Sequence, residues 1–324
     1  MAKKHGLFVG MTTLDCIYQA EHPPAADEKV TADKNLLVAG GPATNAAVAF
    51  AQLGSSKAGG NTATLVSALG RHPLTMLLLE DLQAYGVTLT DLSPMRLEPP
   101  PVSSIVVTAT TGERAVVASH TSTLQVEPSP VSAEILEGVN VVLIDGHQMA
   151  VSTQIAAWAK AKQIPVVIDA GSWKPDFESV LALADVVVAS ANFFPPECLS
   201  TDDVFEYLQC LAVPQMAITR GSDPILYRCA HESGEIEIPQ IKAVDTLGAG
   251  DIFHGAFCHF YLSHRFQEAL LKASRSAAFA CQHWGTRDWT KIYRITDAAV
   301  DEADGPDEAD GPDEADGPDE ASAN

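Results

Sequence analysis

Five short runs of apolar residues, at 63–67, 139–144, 165–169, 185–189 and 215–219, are rich in Val and Ile and show little polar alternation. A strand with one face in water alternates, so runs without alternation read as strands covered on both faces. Helix-length segments lie between them, at 73–85 closed by Gly86, at 151–162 closed before Pro165, and at 201–211. Each is long enough for a crossover between parallel strands. The expectation is an α/β fold with a mostly parallel central sheet flanked by helices.

Two segments interrupt this rhythm, 16–38 and 102–117. In the second, Val102-Ser103-Ser104-Ile105-Val106-Val107 faces Arg114-Ala115-Val116-Val117 across the turn Thr110-Thr111-Gly112-Glu113, a hairpin pattern. Together they are expected to form a small β lid, although periodicity alone fits an ordinary edge extension equally well.

The C-terminal end reads differently. Asp-Glu-Ala-Asp-Gly-Pro repeats from 301, 307 and 313, and residues 301–324 hold 11 acidic residues and no basic one. About half of the formal charge of −22 therefore sits in this stretch. Pro, Gly and like-charge repulsion oppose packing, so residues 1–297 are expected to form the folded domain and 298–324 a disordered acidic tail. With no Lys/Arg cluster, nucleic acid is not expected as a partner. No apolar run of eighteen residues and no signal-like start occur, so neither a membrane partner nor export is expected, and the location expected is the cytoplasm. The six cysteines lack CxxC or framework spacing and read as reduced, mostly buried thiols.

The chemistry concentrates near the end of the folded part. Asp245-Thr246-Leu247-Gly248-Ala249-Gly250-Asp251 runs into an apolar helix at 252–262. Small residues at a helix start expose backbone N–H groups and let an anion approach, aided by the helix dipole. Asp251 follows in the first turn, where a carboxylate can take a proton from an attacking hydroxyl. No G-x-x-x-x-G-K-[ST] or G-x-G-x-x-G string occurs, which disfavours a Walker-type nucleotide site and a dinucleotide enzyme.

Near the start, Gly40 and Gly41 precede a helix with Pro42 at its first position and Gly54 at its end, and Asn45 lies one turn inside it. Asp15 follows the first strand. A carboxylate and an amide that both donates and accepts suit a neutral polyol. Taken alone, Asn45 reads equally as a buried helix residue and Asp15 as a surface turn; their co-occurrence carries the weight.

The stretches 40–54 and 245–251 resemble the two signature regions of the ribokinase-like, or PfkB, carbohydrate kinase family, and the resemblance spans roughly residues 5–290. It implies a three-layer α/β fold in which ATP, with Mg2+, binds near the second motif and a β lid covers a sugar. Carried over by position, Asp15, Gly40, Gly41 and Asn45 imply substrate contacts, Gly248, Ala249 and Gly250 an anion hole, and Asp251 the catalytic base. Asp245 matches a position linked to a monovalent cation such as K+.

Asp145 and His147, in Asp145-Gly146-His147, imply a further substrate contact, and Arg114, in the lid turn, an approach to the phosphates. Thr219 and Gly221 imply a nucleotide contact, and 273–280 the thin helix beside adenine. The family's Asn-x-x-Glu pattern is not matched by Asn192 and Glu197, which leaves the protein partners of Mg2+ unassigned. The residues around Asp145 and Asp245 lean towards ketohexokinase- and fructokinase-like members. The implied activity is ATP-dependent phosphorylation of a sugar hydroxyl. A nucleoside kinase and an inactive sugar-sensing homologue stay open as alternatives, and lid edges are expected to be able to pair two protomers into a homodimer.

Overall fold

The computed structural model describes residues 3–54, 60–119, 125–127, 131–230 and 232–293. The expected acidic tail lies outside the described residues.

The five apolar runs are strands of one nine-stranded sheet. In chain order its strands are β1 (His5–Val9), β4 (Thr62–Ser67), β5 (Val87–Asp91), β8 (Val141–Ile144), β9 (Val166–Ala170), β10 (Val186–Ser190), β11 (Gln215–Arg220), β12 (Asp223–Cys229) and β13 (Glu232–Ile236). The spatial order is β13-β12-β11-β10-β9-β8-β1-β4-β5. Pairing is parallel from β5 through β11, and antiparallel for β12 and β13. The Val/Ile runs are buried as expected of strands covered on both faces. The hairpin β12–β13, which its half-exposed pattern hid, extends one edge.

α3 (Met149–Ala161), the short α4 (Glu178–Leu181) and α5 (Thr201–Cys210) share one core with β8, β9 and β10. α1 (Pro42–Leu53) packs on β1 and β4 and against α6 (Ala249–Tyr261), which in turn packs on α7 (Phe266–Cys281). α2 (Pro73–Ala84) lies against β5 and ends before Gly86, whose φ of +74° only glycine adopts freely.

The lid forms, with its boundaries shifted. β2 (Thr13–Ala20), β3 (Lys34–Gly40), β6 (Val102–Thr108) and β7 (Arg114–Ala118) make a separate sheet of order β3-β2-β6-β7. Ile17, Val38, Ile105 and Val107 form its buried face, against Leu247 and Trp284 of the main body. The strands begin three residues earlier than 16 and end two later than 38, so Asp15 is a mid-strand residue and not part of a turn. β8 starts two residues later than expected, and Asn140, just before it, meets His5 of β1 twice, its Oδ1 accepting from the His5 amide and its own amide donating to the His5 carbonyl, both at 2.8 Å.

All six cysteines are free, and only Cys258 is fully buried, so the expectation of mostly buried thiols is corrected to one buried, four half-buried and one exposed, Cys210. No helix among the described residues is long and apolar enough to cross a membrane.

Candidate active site

In an open parallel sheet, ligands bind at the carboxyl ends of the strands where the order reverses. Here the chain winds outward from β1 through β4 and β5, then returns to add β8 to β11 on the other side. The β1/β8 boundary is the switch point, and Asp145 sits at it. Its Oδ2 accepts from the Met11 amide at 2.9 Å and the Ala43 amide at 3.2 Å. Its Oδ1 accepts from the His147 amide at 2.9 Å and lies 3.0 Å from His147 Nδ1. Burial works against its charge, but His147, the Met11 amide and, further off, Lys174 outweigh it and hold the carboxyl below its usual range. Four donors fill a carboxylate's acceptor sites, so Asp145 ties the loop after β1 and the start of α1 to β8. Gly10 is required for this, since a Cβ there would stand 2.1 Å from the Asp145 carboxylate.

The two motifs meet in this cleft. Gly41, φ +97°, turns β3 into α1, and a Cβ on it would stand 2.5 Å from the Met11 carbonyl oxygen. Asn45 is buried in the first turn of α1 and donates from Nδ2 to Asp251 Oδ2 at 2.8 Å. Gly248, φ +70°, caps α6; a Cβ on it would meet Thr286 at 2.9 Å, Asn45 at 3.5 Å and Asp251 at 3.7 Å. A Cβ on Gly250 would meet nothing within 4 Å, so open space adjoins the first turn. The amides of Ala249 and Ile252 are taken by the carbonyls of Thr246 and Gly248. Burial lifts the Asp251 carboxyl above its usual range; Asn45 and His254 pull against it, and the Asp145 charge adds to it.

Asp15 enters from the lid. It is buried, accepts from Thr13 Oγ at 2.7 Å, and lies so close to Gly40 that a Cβ there would be 1.9 Å from its Oδ2. Burial raises its carboxyl, the Thr13 hydroxyl opposes this, and the Asp251 charge adds to it. Beside it, Met11, Thr12, Ser67, Ala68, Pro101, Gln125, His147 and Gln148 line a narrow pocket of about 20 Å³. A larger cavity of about 380 Å³ around Lys160, Asp185 and Tyr261 opens at the amino ends of β9 to β11, away from these residues.

The remaining expected residues spread around the cleft. Arg114 Nη1 donates to the carbonyl and hydroxyl of Thr246 at 3.2 and 3.1 Å, latching the lid hairpin to the second motif. Asp245 is buried, with Oδ1 on the Leu247 amide and Oδ2 on the Gly285 amide, both at 2.9 Å. Burial raises its carboxyl and these amides oppose the rise. Thr219 is next to last in β11 and Gly221, φ +66°, begins the turn into β12. Among the described residues, Thr219 Oγ donates to the Ala189 carbonyl at 3.3 Å and no hydrogen bond joins Thr219 or Gly221 to the Asn45–Asp251 pair. Asn192 and Glu197 are exposed.

Four site residues escaped the sequence reading. Asp169 is next to last in β9, and its Oδ2 lies 3.6 Å from His254 Nδ1. Burial pushes it up to about 6, with His254 pulling against the rise. His254 bridges α6 to β10 through the carbonyls of Gly250, 2.7 Å from Nδ1, and Val188, 3.2 Å from Nε2. Arg287 and Asp81 stand behind Asn45, as described below. An acid closing a buried parallel strand was a usable signal for Asp169; nothing in spacing or periodicity marked Arg287.

The fold and the cleft define a ribokinase-like α/β kinase, a nine-stranded sheet with the site at its carboxyl edge and a β lid above. A solved structure of a provisionally assigned ribokinase from Agrobacterium tumefaciens superposes with a TM-score of 0.80 at 25% identity, over 93% of this chain and 97% of that one. The chain belongs to the pfkB family of carbohydrate kinases, whose model matches residues 3–292. Curated relatives include a ribokinase of Bacillus subtilis, 24% identical over 86% of this chain and 93% of the relative. A deoxyribokinase of Salmonella typhi is 23% identical over the same shares of the two chains. The chain is thus a phosphotransferase of the carbohydrate kinase type.

Proposed function

We propose that the chain transfers the γ-phosphoryl group of ATP to a hydroxyl of a neutral sugar, with Asp251 as the base. The observation that carries this is the Asn45–Asp251 pair at the α6 N-terminus, beside the open space around Gly250. Asp251 takes the proton of the attacking hydroxyl as its oxygen bonds to phosphorus and the bond to the ADP oxygen breaks. The unclaimed amides of the first turn, at Gly250 and Asp251, with the helix dipole, stabilise the charge on the transferred group. Asp15 holds hydroxyls of the sugar, and Asp145 keeps the floor of the pocket in register. Mg2+ bound with the nucleotide would supply charge neutralisation at the phosphates, and Asp169, at the carboxyl end of β9, is the carboxylate that would hold it.

Among the described residues, the pocket beside His147 has no Phe, Tyr or Trp in its lining, which favours a sugar over a nucleoside, since a base would call for a stacking ring. The ribokinase and deoxyribokinase relatives bring pentoses to the front of the panel, and they lend no support to a ketohexokinase or fructokinase specificity. A requirement for K+ rests on Asp245 and its loop. Dimerisation through the lid rests on exposed Leu37, Val116 and Val117, and sedimentation tests it. Residues 1–297 are taken as the catalytic unit, and location in the cytoplasm is part of the same reading.

The test is ATP turnover with Mg2+, with and without K+, across pentoses, hexoses, sugar phosphates and nucleosides, for wild type and Asp251→Asn. One sugar turned over selectively by wild type, and at least about 100-fold more slowly by Asp251→Asn, supports the reading. Binding of a sugar or nucleotide without turnover overturns it in favour of a sensing role.

A further inference from the structure

We infer that Arg287 is a positioning residue for the reaction, acting through Asn45 on the orientation of the base. The inference rests on the reading of Asp251 given above. Arg287 is 3% exposed, and its fork is divided between two tasks. Nη1 donates to Asn45 Oδ1 and to Thr286 Oγ, both at 3.0 Å. Nη2 donates to the Ala39 carbonyl and to Asp81 Oδ2, the latter at 3.1 Å. Asp81 in turn accepts from the Ala39 amide at 3.1 Å, and the Tyr85 ring lies 5.4 Å from the guanidinium carbon.

A guanidinium can only donate. Asn45 must therefore turn its carbonyl oxygen to Arg287, which leaves its NH2 group for Asp251. Without the arginine the amide is free to rotate by half a turn, and its oxygen would then face the carboxylate, lone pair against lone pair. Arg287 thus decides which end of Asn45 the base meets. Its anchors add a second property. Asp81 belongs to α2 and Ala39 to the last turnings of β3, where the lid strand reaches Gly40 and Gly41. One planar group therefore fixes Asn45 relative to the root of the lid, so that β3, whose Val38 pairs with Asp15 on β2, and the helix bringing Asn45 to the base share one reference point.

The alternative is that Arg287 only glues the segment after α7 to α2 and β3. The two differ in how Arg287 and Asn45 combine. In a double-mutant cycle of Arg287→Gln and Asn45→Ala, measured with the sugar that wild type turns over best, Arg287→Gln alone is expected to lower kcat by about 10- to 100-fold. KM for the sugar should stay within about 3-fold, the pattern of a lost transition-state interaction. In the Asn45→Ala background the same change is expected to cost less than about 3-fold, because its target is gone. Arg287→Lys keeps the charge without the fork and should recover little.

Equal effects of Arg287→Gln in both backgrounds, or full recovery by Arg287→Lys, would overturn the proposal. Should Arg287→Gln fail to fold, Asp81→Asn, which leaves the arginine but removes its ion pair, takes its place in the cycle with the same reading. Asp251→Asn is assayed alongside. If it is as active as wild type, the base reading itself fails. If it is inactive while the Arg287 and Asn45 effects are independent, only the positioning role fails.

Discussion

Asn45 and Asp251, 206 positions apart in the chain, are joined by a hydrogen bond of 2.8 Å from the amide Nδ2 to the carboxylate Oδ2. Each residue sits in the first turn of its own helix, and α1 and α6 pack directly on each other. A Cβ on Gly255 would fall 2.2 Å from the Ala46 carbonyl, so the closeness of the two helices depends on a glycine in α6. The pair is thus a product of helix packing, and its chemistry can be probed separately from the fold.

Asn45→Ala removes a donor to a carboxylate whose range burial has already raised. Losing the donor raises it further. A base works deprotonated, so activity falls as pH drops through its pKa, and the acid limb of kcat/KM is expected to move to higher pH. A pH–rate profile of the variant against wild type checks the direction, and a limb moved to lower pH would contradict it.

Two glycines should respond in opposite ways. Gly40→Ala sets a methyl 1.9 Å from Asp15 Oδ2. It is expected to raise KM for the sugar about 10-fold or more and to destabilise the protein by about 1–3 kcal/mol. Gly250→Ala meets nothing within 4 Å and replaces glycine in a helix, so stability should hold or rise by up to about 1 kcal/mol. Its methyl occupies the space offered to the phosphoryl group, and kcat should fall. Kinetics and urea melts on both variants test the contrast.

His259 predicts an acid-sensitive core. Asn61 Nδ2 donates to the Phe50 carbonyl at 2.9 Å and lies 2.8 Å from His259 Nδ1, which must therefore accept. Burial, with Lys4 and His264 adding to it, lowers this histidine from 6.5 to about 3. A group depressed on folding contributes stability that is complete above pH 6.5 and is lost as pH falls towards 3. The loss is on the order of 4 kcal/mol over that window. His259→Gln should show a flatter dependence of unfolding free energy on pH between 7 and 4, read by urea denaturation.

Arg114→Gln breaks the latch from the lid hairpin to Thr246. These are exposed hydrogen bonds, each contributing about 0.5–1.5 kcal/mol. The expected result is a rise of roughly 3- to 10-fold in KM for ATP with kcat nearly retained. A large fall in kcat with KM unchanged would instead give Arg114 a role in the transition state.

A chain ending at residue 300 keeps every residue of the cleft, the last being Arg287. Its kcat and both KM values are expected to match the full chain within about 2-fold, since a solvated charge run seldom reaches a packed site. A larger change would assign the acidic repeat a part in catalysis.

Much of this molecule was legible in the chain itself. Val186 to Ala189 could only be a doubly covered strand, and Gly86 could only end a helix, because burial pattern and backbone freedom are local properties. The Gly248–Asp251 string announced a helix start able to receive an anion for the same reason. Asp15 was read as following a strand, and it lies inside one; Asp145 was read as meeting substrate, and its oxygens are filled by backbone amides. Both depend on which partner the fold brings alongside. Arg287 and Asp81, again 206 positions apart, form an ion pair at 3.1 Å. Neither residue carries a spacing or a propensity that points to the other. Their meeting is decided by the packing of α2, β3 and the segment after α7. The sequence by itself determined the layers and the position of the reactive turn, while only the tertiary structure decided that the two irregular segments pair into one separate sheet and which end of Asn45 faces the base, because those choices belong to long-range strand pairing and a buried hydrogen-bond network and to no single stretch of chain.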